Sequence, residues 1–166
     1  MERSPFDDIQ IRSSVVKLRP ATFDDSNDLL VWRNDPHTRA MSRDHDLVAP
    51  DDHKRWFTKA LHDKGRVILL AEHEGRKIGV ARFDQTETGW ETGINLNPAE
   101  RGKGLGGALL TMAVERFTID HPDQILTAVI RPDNSVSRAI FEACGFRFVD
   151  RRDEHDHFVR LFLNQE

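Results

Sequence analysis

The sequence predicts a mixed α/β fold around one mostly antiparallel sheet, in the order β-α-α-β-β-β-α-β-α-β-β, and three observations carry that reading. Three strand-like runs follow one another between Val67 and Leu96 with short turns between them, as in an antiparallel meander. ILTAVI (125–130) is a short, nearly continuous apolar run of the kind a buried strand needs, and helical segments flank it on both sides. RGKGLGGALL (101–110) places four glycines in six positions between a strand and a helix. At 166 residues the chain suits a single domain, 1–166, with 1–14 as a polar lead-in.

Val15 to Arg19 reads as the first strand, stopped at Pro20. FDDSNDLLVWRNDP (23–36) reads as a helix behind an Asp cap; Leu29, Leu30 and Trp32 are apolar, Pro36 ends it, and a charged loop follows. In APDDHKRWFTKALHD (49–63), Trp56, Phe57, Ala60 and Leu61 share one helical face, and Gly65 closes the segment. Val67 to Ala71 and Ile78 to Phe83 form a hairpin about Glu74-Gly75-Arg76. The third strand of the meander, within ETGWETGINLNP (87–98), alternates Trp90, Thr92, Ile94 and Leu96 with Glu91, Gly93, Asn95 and Asn97 and stops at Pro98. A helix from Gly104 to about Phe117 has Leu105, Leu109, Met112 and Val114 to bury. Asn134 or Ser135 caps the next helix, which runs through Cys144 and ends at Gly145. FRFVDRR (146–152) and HDHFVRLFL (155–163) supply the last two strands.

Charged residues make up 31% of the chain at a net charge of −4, which gives no general attraction for nucleic acid. No apolar run approaches the roughly 20 residues that cross a bilayer, and MERSPFDDIQ lacks the apolar core of a secretion signal. The single cysteine, Cys144, leaves no disulfide framework and no thiolate metal cluster. These features point to a cytoplasmic protein with no nucleic-acid or membrane partner, and they leave a homodimer open. Cys144, late in a helix beside Ala143 and Gly145, reads as an inert packing residue. His155 and His157 alternate on a strand near Asp153, but without cysteine partners they read as surface residues, and no metal is expected.

Each interior glycine costs a helix about 1 kcal/mol relative to alanine, so a glycine-rich helix start needs an offsetting gain. A phosphate supplies one, because the first turn has unpaired N–H groups and a positive dipole end, with charge added by Arg101 and Lys103. Gly102, Gly104 and Gly107 satisfy G-x-G-x-x-G, yet that dinucleotide motif follows the first strand of a βαβ unit and is answered by an acidic residue about 20 positions on. Here three antiparallel strands precede it, and ILTAVI leads to Arg131. The absence of Gly-Lys-Ser/Thr excludes a nucleoside triphosphatase loop.

The run from INLNP (94–98) through AERGKGLGGALL (99–110) resembles the signature of the GNAT superfamily of acyl-CoA N-acetyltransferases, Arg/Gln-x-x-Gly-x-Gly/Ala after a strand carrying a bulge; Arg101, Gly104 and Gly106 match it. NSVSRAIFEACGF (134–146) resembles the second family motif, with Asn134, Gly145 and Phe146 in place. The resemblance covers residues 15–163 and implies a GNAT-like fold with splayed strands at an acetyl-CoA groove. It implies that the pyrophosphate of acetyl-CoA lies on the N–H groups of Lys103, Gly104, Leu105, Gly106, Gly107 and Ala108, with Arg101 and Gly102 beside them. It further implies that the pantetheine arm pairs with the backbone of Ile94, Asn95 and Leu96, and that Asn134 either bonds that arm or is a plain N-cap. Phe141 stands at the groove position where the family usually carries a tyrosine. WRND (32–35), His37 and Arg39 behind it, and H-x-x-W-F (53–57) resemble the branch holding amino-sugar-nucleotide N-acetyltransferases and, more distantly, ribosomal-protein N-terminal acetyltransferases. In that branch these helices line the acceptor side, which assigns Trp32, Arg33, Asn34 and His53 to substrate.

Acetyl transfer to an amine needs a neutral nucleophile, a polarised thioester carbonyl and a proton for the departing thiolate, and no metal. The resemblance makes the backbone N–H of Leu96 the carbonyl polariser, freed by the bulge, and Glu91 the base, directly or through a water, with His53 as substitute. The chain has no tyrosine, so the acid is water, a hydroxyl such as Ser137, or nothing before release, which a thiol of pKa about 8.5 tolerates. The activity implied is acetyl transfer from acetyl-CoA to a primary amine of a small molecule such as a nucleotide-linked amino sugar. Protein α-amine acetylation and a non-catalytic acyl-CoA sensor are the alternatives.

Overall fold

The computed structural model describes residues 16–161. The apolar and alternating runs become seven strands: β1 (Val16–Pro20), β2 (Arg66–His73), β3 (Arg76–Thr86), β4 (Gly89–Leu96), β5 (Leu126–Ile130), β6 (Arg147–Arg152) and β7 (His155–Arg160). They form one sheet in the order β1-β2-β3-β4-β5-β7-β6. Every neighbouring pair is antiparallel except β4 with β5. This is the mixed, mostly antiparallel architecture the sequence predicts; Val15, Phe162, Leu163 and the polar lead-in lie outside the described residues.

The helices are α1 (Ser26–Asn34), α2 (Pro36–Met41), α3 (Pro50–His62), α4 (Leu105–Asp120) and α5 (Ser135–Ala143). One of them, α2, replaces the loop expected after Pro36. Pro36 ends α1 and opens α2, because a first helical position needs no N–H and suits the fixed φ of proline. Asp35 caps the new helix by accepting the Thr38 N–H at 3.0 Å.

One face of the sheet buries Phe83, Trp90, Leu126 and Phe158 against α4 and α5. Phe117 of α4 stacks on Phe83 at 4.3 Å and meets Trp90 edge-on at 5.1 Å. Such pairs contribute about 0.5–1.5 kcal/mol each beyond their buried area. The other face packs Ile68 and Leu70 against Leu29 and Trp32 of α1 and Phe57 and Ala60 of α3.

Between β1 and α1 lies Asp25, fully buried. Arg19 donates to both its oxygens, at 2.8 and 2.9 Å, the Thr22 N–H donates at 2.8 Å, and the Lys77 ammonium stands 2.9 Å away. Burial acts to raise the carboxyl pKa, but Arg19, Thr22 and Lys77 together outweigh it and hold Asp25 well below the usual carboxylate range. Because the folded pKa lies below the unfolded value of about 3.9, the stabilisation is full above that pH and is lost as pH falls further. Asp25→Asn is expected to lower unfolding free energy by about 2 kcal/mol at neutral pH, since it removes the buried charge that Arg19, Thr22 and Lys77 bond, while Glu72 and Asp28 still partner the two half-buried cations. Urea unfolding should also show a flatter loss of stability in the variant than in the wild type between about pH 5 and 3.

Candidate active site

Among the described residues, strands β4 and β5 are the only parallel neighbours, and they pair at two positions, Trp90 with Leu126 and Glu91 with Thr127. Beyond these the strands part, and Ala128 to Ile130 of β5 pair with β7 alone. The Trp90 N–H donates to the Ile125 carbonyl on the β5 side, whereas the Asn97 N–H donates to Ile78 on the β3 side. With a period of two, Thr92, Ile94 and Leu96 turn their backbone groups into the opening. The β3–β4 register is unbroken from Thr86 and Gly89 to Gly79 and Leu96, and the sheet's irregularities lie at Ala71/Glu72 and Phe148/Asp150. The bulge expected on β4 is therefore absent: the departure of β5 frees the donors.

At the mouth of this opening stands the start of α4. Gly102 and Gly104 have φ of +74° and +70°, a left-handed conformation that glycine adopts without the Cβ penalty. No side chain caps α4. Its first-turn N–H groups, at Leu105, Gly106 and Gly107, are left to meet an anion. A Cβ on Gly106 would stand 2.8 Å from Ile140 Cδ1 and 3.6 Å from Leu96 Cδ1, so this buried glycine lets α4 pack closely against β4 and α5. These groups fit a diphosphate followed by a linear chain lying along β4.

The cations flanking the glycines both have carboxylate partners. Arg101 donates to Asp35 at 2.8 Å and to the Thr38 hydroxyl at 2.6 Å, and Thr38 in turn donates to the Asn95 side chain at 3.4 Å. Arg101 holds the Asp35 carboxyl below its ordinary range. Lys103 donates to Glu100 at 2.8 Å, and Arg76 donates to the same buried carboxylate at 3.0 Å. Both flanking charges are thus paired with carboxylates.

The sheet face that carries Glu91, Gly93 and Asn95 is crossed by the segment 42–49. Asn34 holds this segment by two hydrogen bonds to Val48, both 2.9 Å; Arg33 donates to the Asp44 carbonyl at 2.9 Å, and Arg39 to the His45 carbonyl at 2.8 Å. So held, the segment places Arg43 in an ion pair with Glu91 and His45 Nε2 at 3.3 Å from Arg131, just past β5. Asp133 fixes Arg131 through contacts of 3.0 and 3.1 Å.

The assigned acceptor residues have other work. Trp32 lies in the core, 4% exposed, and Arg33 and Asn34 tether the segment 42–49. His53 is buried, stacked on Phe57 at 5.7 Å, and burial pushes its pKa down. It is a core residue, which removes it as substitute base. Phe141 is also core, edge-on to Phe146 at 5.0 Å. Asn134 caps α5, its side-chain oxygen accepting the Ser137 N–H at 3.1 Å. Burial pushes the Cys144 thiol up, in keeping with an inert packing residue. Arg43, His45 and Thr38 had no signal in the sequence beyond the charge density of the 35–46 stretch.

An opened sheet ending on an uncapped, glycine-rich helix defines a groove for a linear ligand with a diphosphate. The family model for the acetyltransferase (GNAT) domain matches residues 16–147, and the chain belongs to this family. Among its relatives, an uncharacterized N-acetyltransferase of Bacillus subtilis, YfmK, is 29% identical over 110 residues, 65% of this chain and 72% of that one. A histidine N-acetyltransferase of Scomber australasicus is 32% identical over 80 residues, 46% of this chain, and the match spans 24% of that protein's length. Among solved structures, spermidine N-acetyltransferase from Vibrio cholerae with CoA and spermine superposes with a TM-score of 0.77 at 18% identity, covering 88% of this chain and 94% of that one. Ribosomal-protein-alanine N-acetyltransferase from Brucella melitensis gives 0.75 at 22% identity, covering 88% and 99%. Among the described residues, no group of three or more His, Cys, Asp and Glu could hold a metal ion, and no helix is long and apolar enough to cross a membrane.

Gly107→Asp separates anion binding from folding. A Cβ at Gly107 meets nothing within 4 Å, and a carboxylate in the first turn favours the helix by about 0.3–1 kcal/mol. The variant is expected to unfold at or slightly above the wild-type temperature while losing most of the thermal shift that acetyl-CoA gives the wild type, as differential scanning fluorimetry would show.

Proposed function

We propose that the protein transfers an acetyl group from acetyl-CoA directly to a primary amine of a small molecule. The observation that supports this best is the β4–β5 opening, which presents the Ile94 and Leu96 backbone to a linear ligand and ends on the uncapped start of α4. Acetyl-CoA supplies an activated acetyl thioester. The N–H groups of α4 bind its diphosphate, and the β4 backbone aligns its chain. The Leu96 N–H donates to the carbonyl oxygen and stabilises the negative charge that develops there. Glu91, paired with Arg43 until an acceptor arrives, accepts the proton of the amine, directly or through one water.

No side chain stands out as the acid. Phe141 has no proton to give, and the thiolate leaves unprotonated or takes its proton from water. The sugar-nucleotide acceptor rested on Trp32, Arg33, Asn34 and His53, whose side chains are committed to packing and tethering. The reading therefore stops at a small-molecule amine, in line with relatives named for histidine, L-2,4-diaminobutyric acid and spermidine. A cytoplasmic setting belongs to the same reading, supported by the lone, half-buried thiol.

The test is thiol release from acetyl-CoA, with mass analysis of the product, across polyamines, free amino acids, their decarboxylated amines, amino-sugar nucleotides and short peptides. An acetylated small-molecule amine is expected; product from none of them removes the proposal, and product from peptides alone moves it to protein acetylation. Glu91→Gln is expected to lower kcat by about 10²-fold while leaving the KM for acetyl-CoA nearly unchanged. A fully active variant would remove Glu91 as the base.

A further inference from the structure

We infer that the acceptor carries a carboxylate beside its amine, as a free amino acid does, and that Arg43 is the residue that reads this carboxylate; the inference rests on the function proposed above. It starts from how charge is distributed on the face that Glu91 shares with Gly93 and Asn95. Asp84 stands directly across the β3–β4 ladder from Glu91, but it has two arginines of its own, Arg66 at 2.6 Å and Arg82 at 2.7 Å. On the β5 side, Arg131 is gripped by Asp133 through two contacts. That leaves Arg43 and Glu91 as each other's partner across the opening.

This pair constrains what can react. An amine that gives its proton to Glu91 must take the place Arg43 holds. A plain amine or polyamine arrives as a cation, displaces the guanidinium and leaves two positive groups beside one carboxylate. An amino acid brings both signs on one carbon: its ammonium meets Glu91 while its carboxylate meets Arg43, so each side chain exchanges one opposite charge for another. The planar fork of arginine suits a carboxylate, and a charge-assisted bond of this kind is stronger than a neutral one.

Access agrees with this. The Arg43 side chain is 55% exposed and that of Glu91 25%, so the pair can be approached from solvent. Next to Glu91 on the same face, a Cβ at Gly93 would meet nothing within 4 Å, which leaves space for an acceptor against the strand. The segment that carries Arg43 is held by Asn34, Arg33 and Arg39, so the guanidinium is presented from a tethered backbone.

The experiment compares kcat/KM for amino acids and their decarboxylated counterparts, histidine beside histamine and 2,4-diaminobutyrate beside 1,3-diaminopropane, within the panel above. Wild type is expected to prefer the carboxylate-bearing member by about tenfold or more, the value of one charge-assisted hydrogen bond. Arg43→Met is expected to lower kcat/KM for the amino acid, mainly through KM, and to raise it for the amine, which no longer has a guanidinium to displace. Arg43→Lys, which keeps the charge and loses the fork, should fall between the two. A polyamine or sugar nucleotide as the best acceptor, or the same amino acid to amine ratio in wild type and Arg43→Met, overturns the inference and leaves acetyl transfer standing. Failure of every acceptor overturns both.

Discussion

Two parallel strands that pair at only two positions set the terms for everything else in this molecule. A parallel neighbour needs a crossover, and α4 is that crossover, leaving β4 through the tight segment 97–104 and returning to β5. Its start is therefore fixed at the point where the strands part. Asn97 secures the exit by three bonds: its N–H to Ile78, its side-chain amide to Lys77, and its side-chain oxygen from the Ala99 N–H. The backbone edge of β4 and the positive end of α4 come together because one chain path makes both.

The acceptor side follows from a different constraint, the need to hold a charged segment against a sheet face without burying it. Arg33, Asn34 and Arg39 bond carbonyl and N–H groups of the segment 42–49, so its course is set by backbone contacts. Its own side chains stay available, and two of them reach opposite sides of the opening, at Glu91 and Arg131. Through Thr38, the helix just before it also touches both Arg101 of the glycine loop and Asn95 of β4. The glycine loop and the face that carries Glu91 thus share one short helix.

What the sequence revealed follows from how local each signal is. The glycine loop, the alternation of β4 and the turns of the meander are encoded within a few residues, and the structure has them where they were read. Asp35 was legible as a helix end but not as the start of α2, because Pro36 serves either end of a helix. Trp32 and His53 were placed on the acceptor side, yet an aromatic on an amphipathic helix carries no mark of which neighbour it faces, and both face the core. The Arg43 to Glu91 and His45 to Arg131 contacts join residues 48 and 86 apart in the chain. No spacing rule reaches that far. The expected bulge came from the resemblance, and the register shows that splaying alone can expose the same donors.

The four glycines can now be understood through the carboxylates around them. Glu100 pairs with Lys103 and Asp35 with Arg101, so both cations beside the glycines are held by carboxylates. In the function proposed above, attraction for a diphosphate then comes from the N–H groups and dipole of α4, which act over the first turn and require close approach. Gly107 leaves bare backbone in that turn, Gly106 lets α4 pack against Ile140 and Leu96, and Gly102 and Gly104 supply the left-handed conformation that turns the loop into the helix. The ion pairs and the glycines are two halves of one arrangement: the former lock the loop into the shape that lets the latter face the ligand.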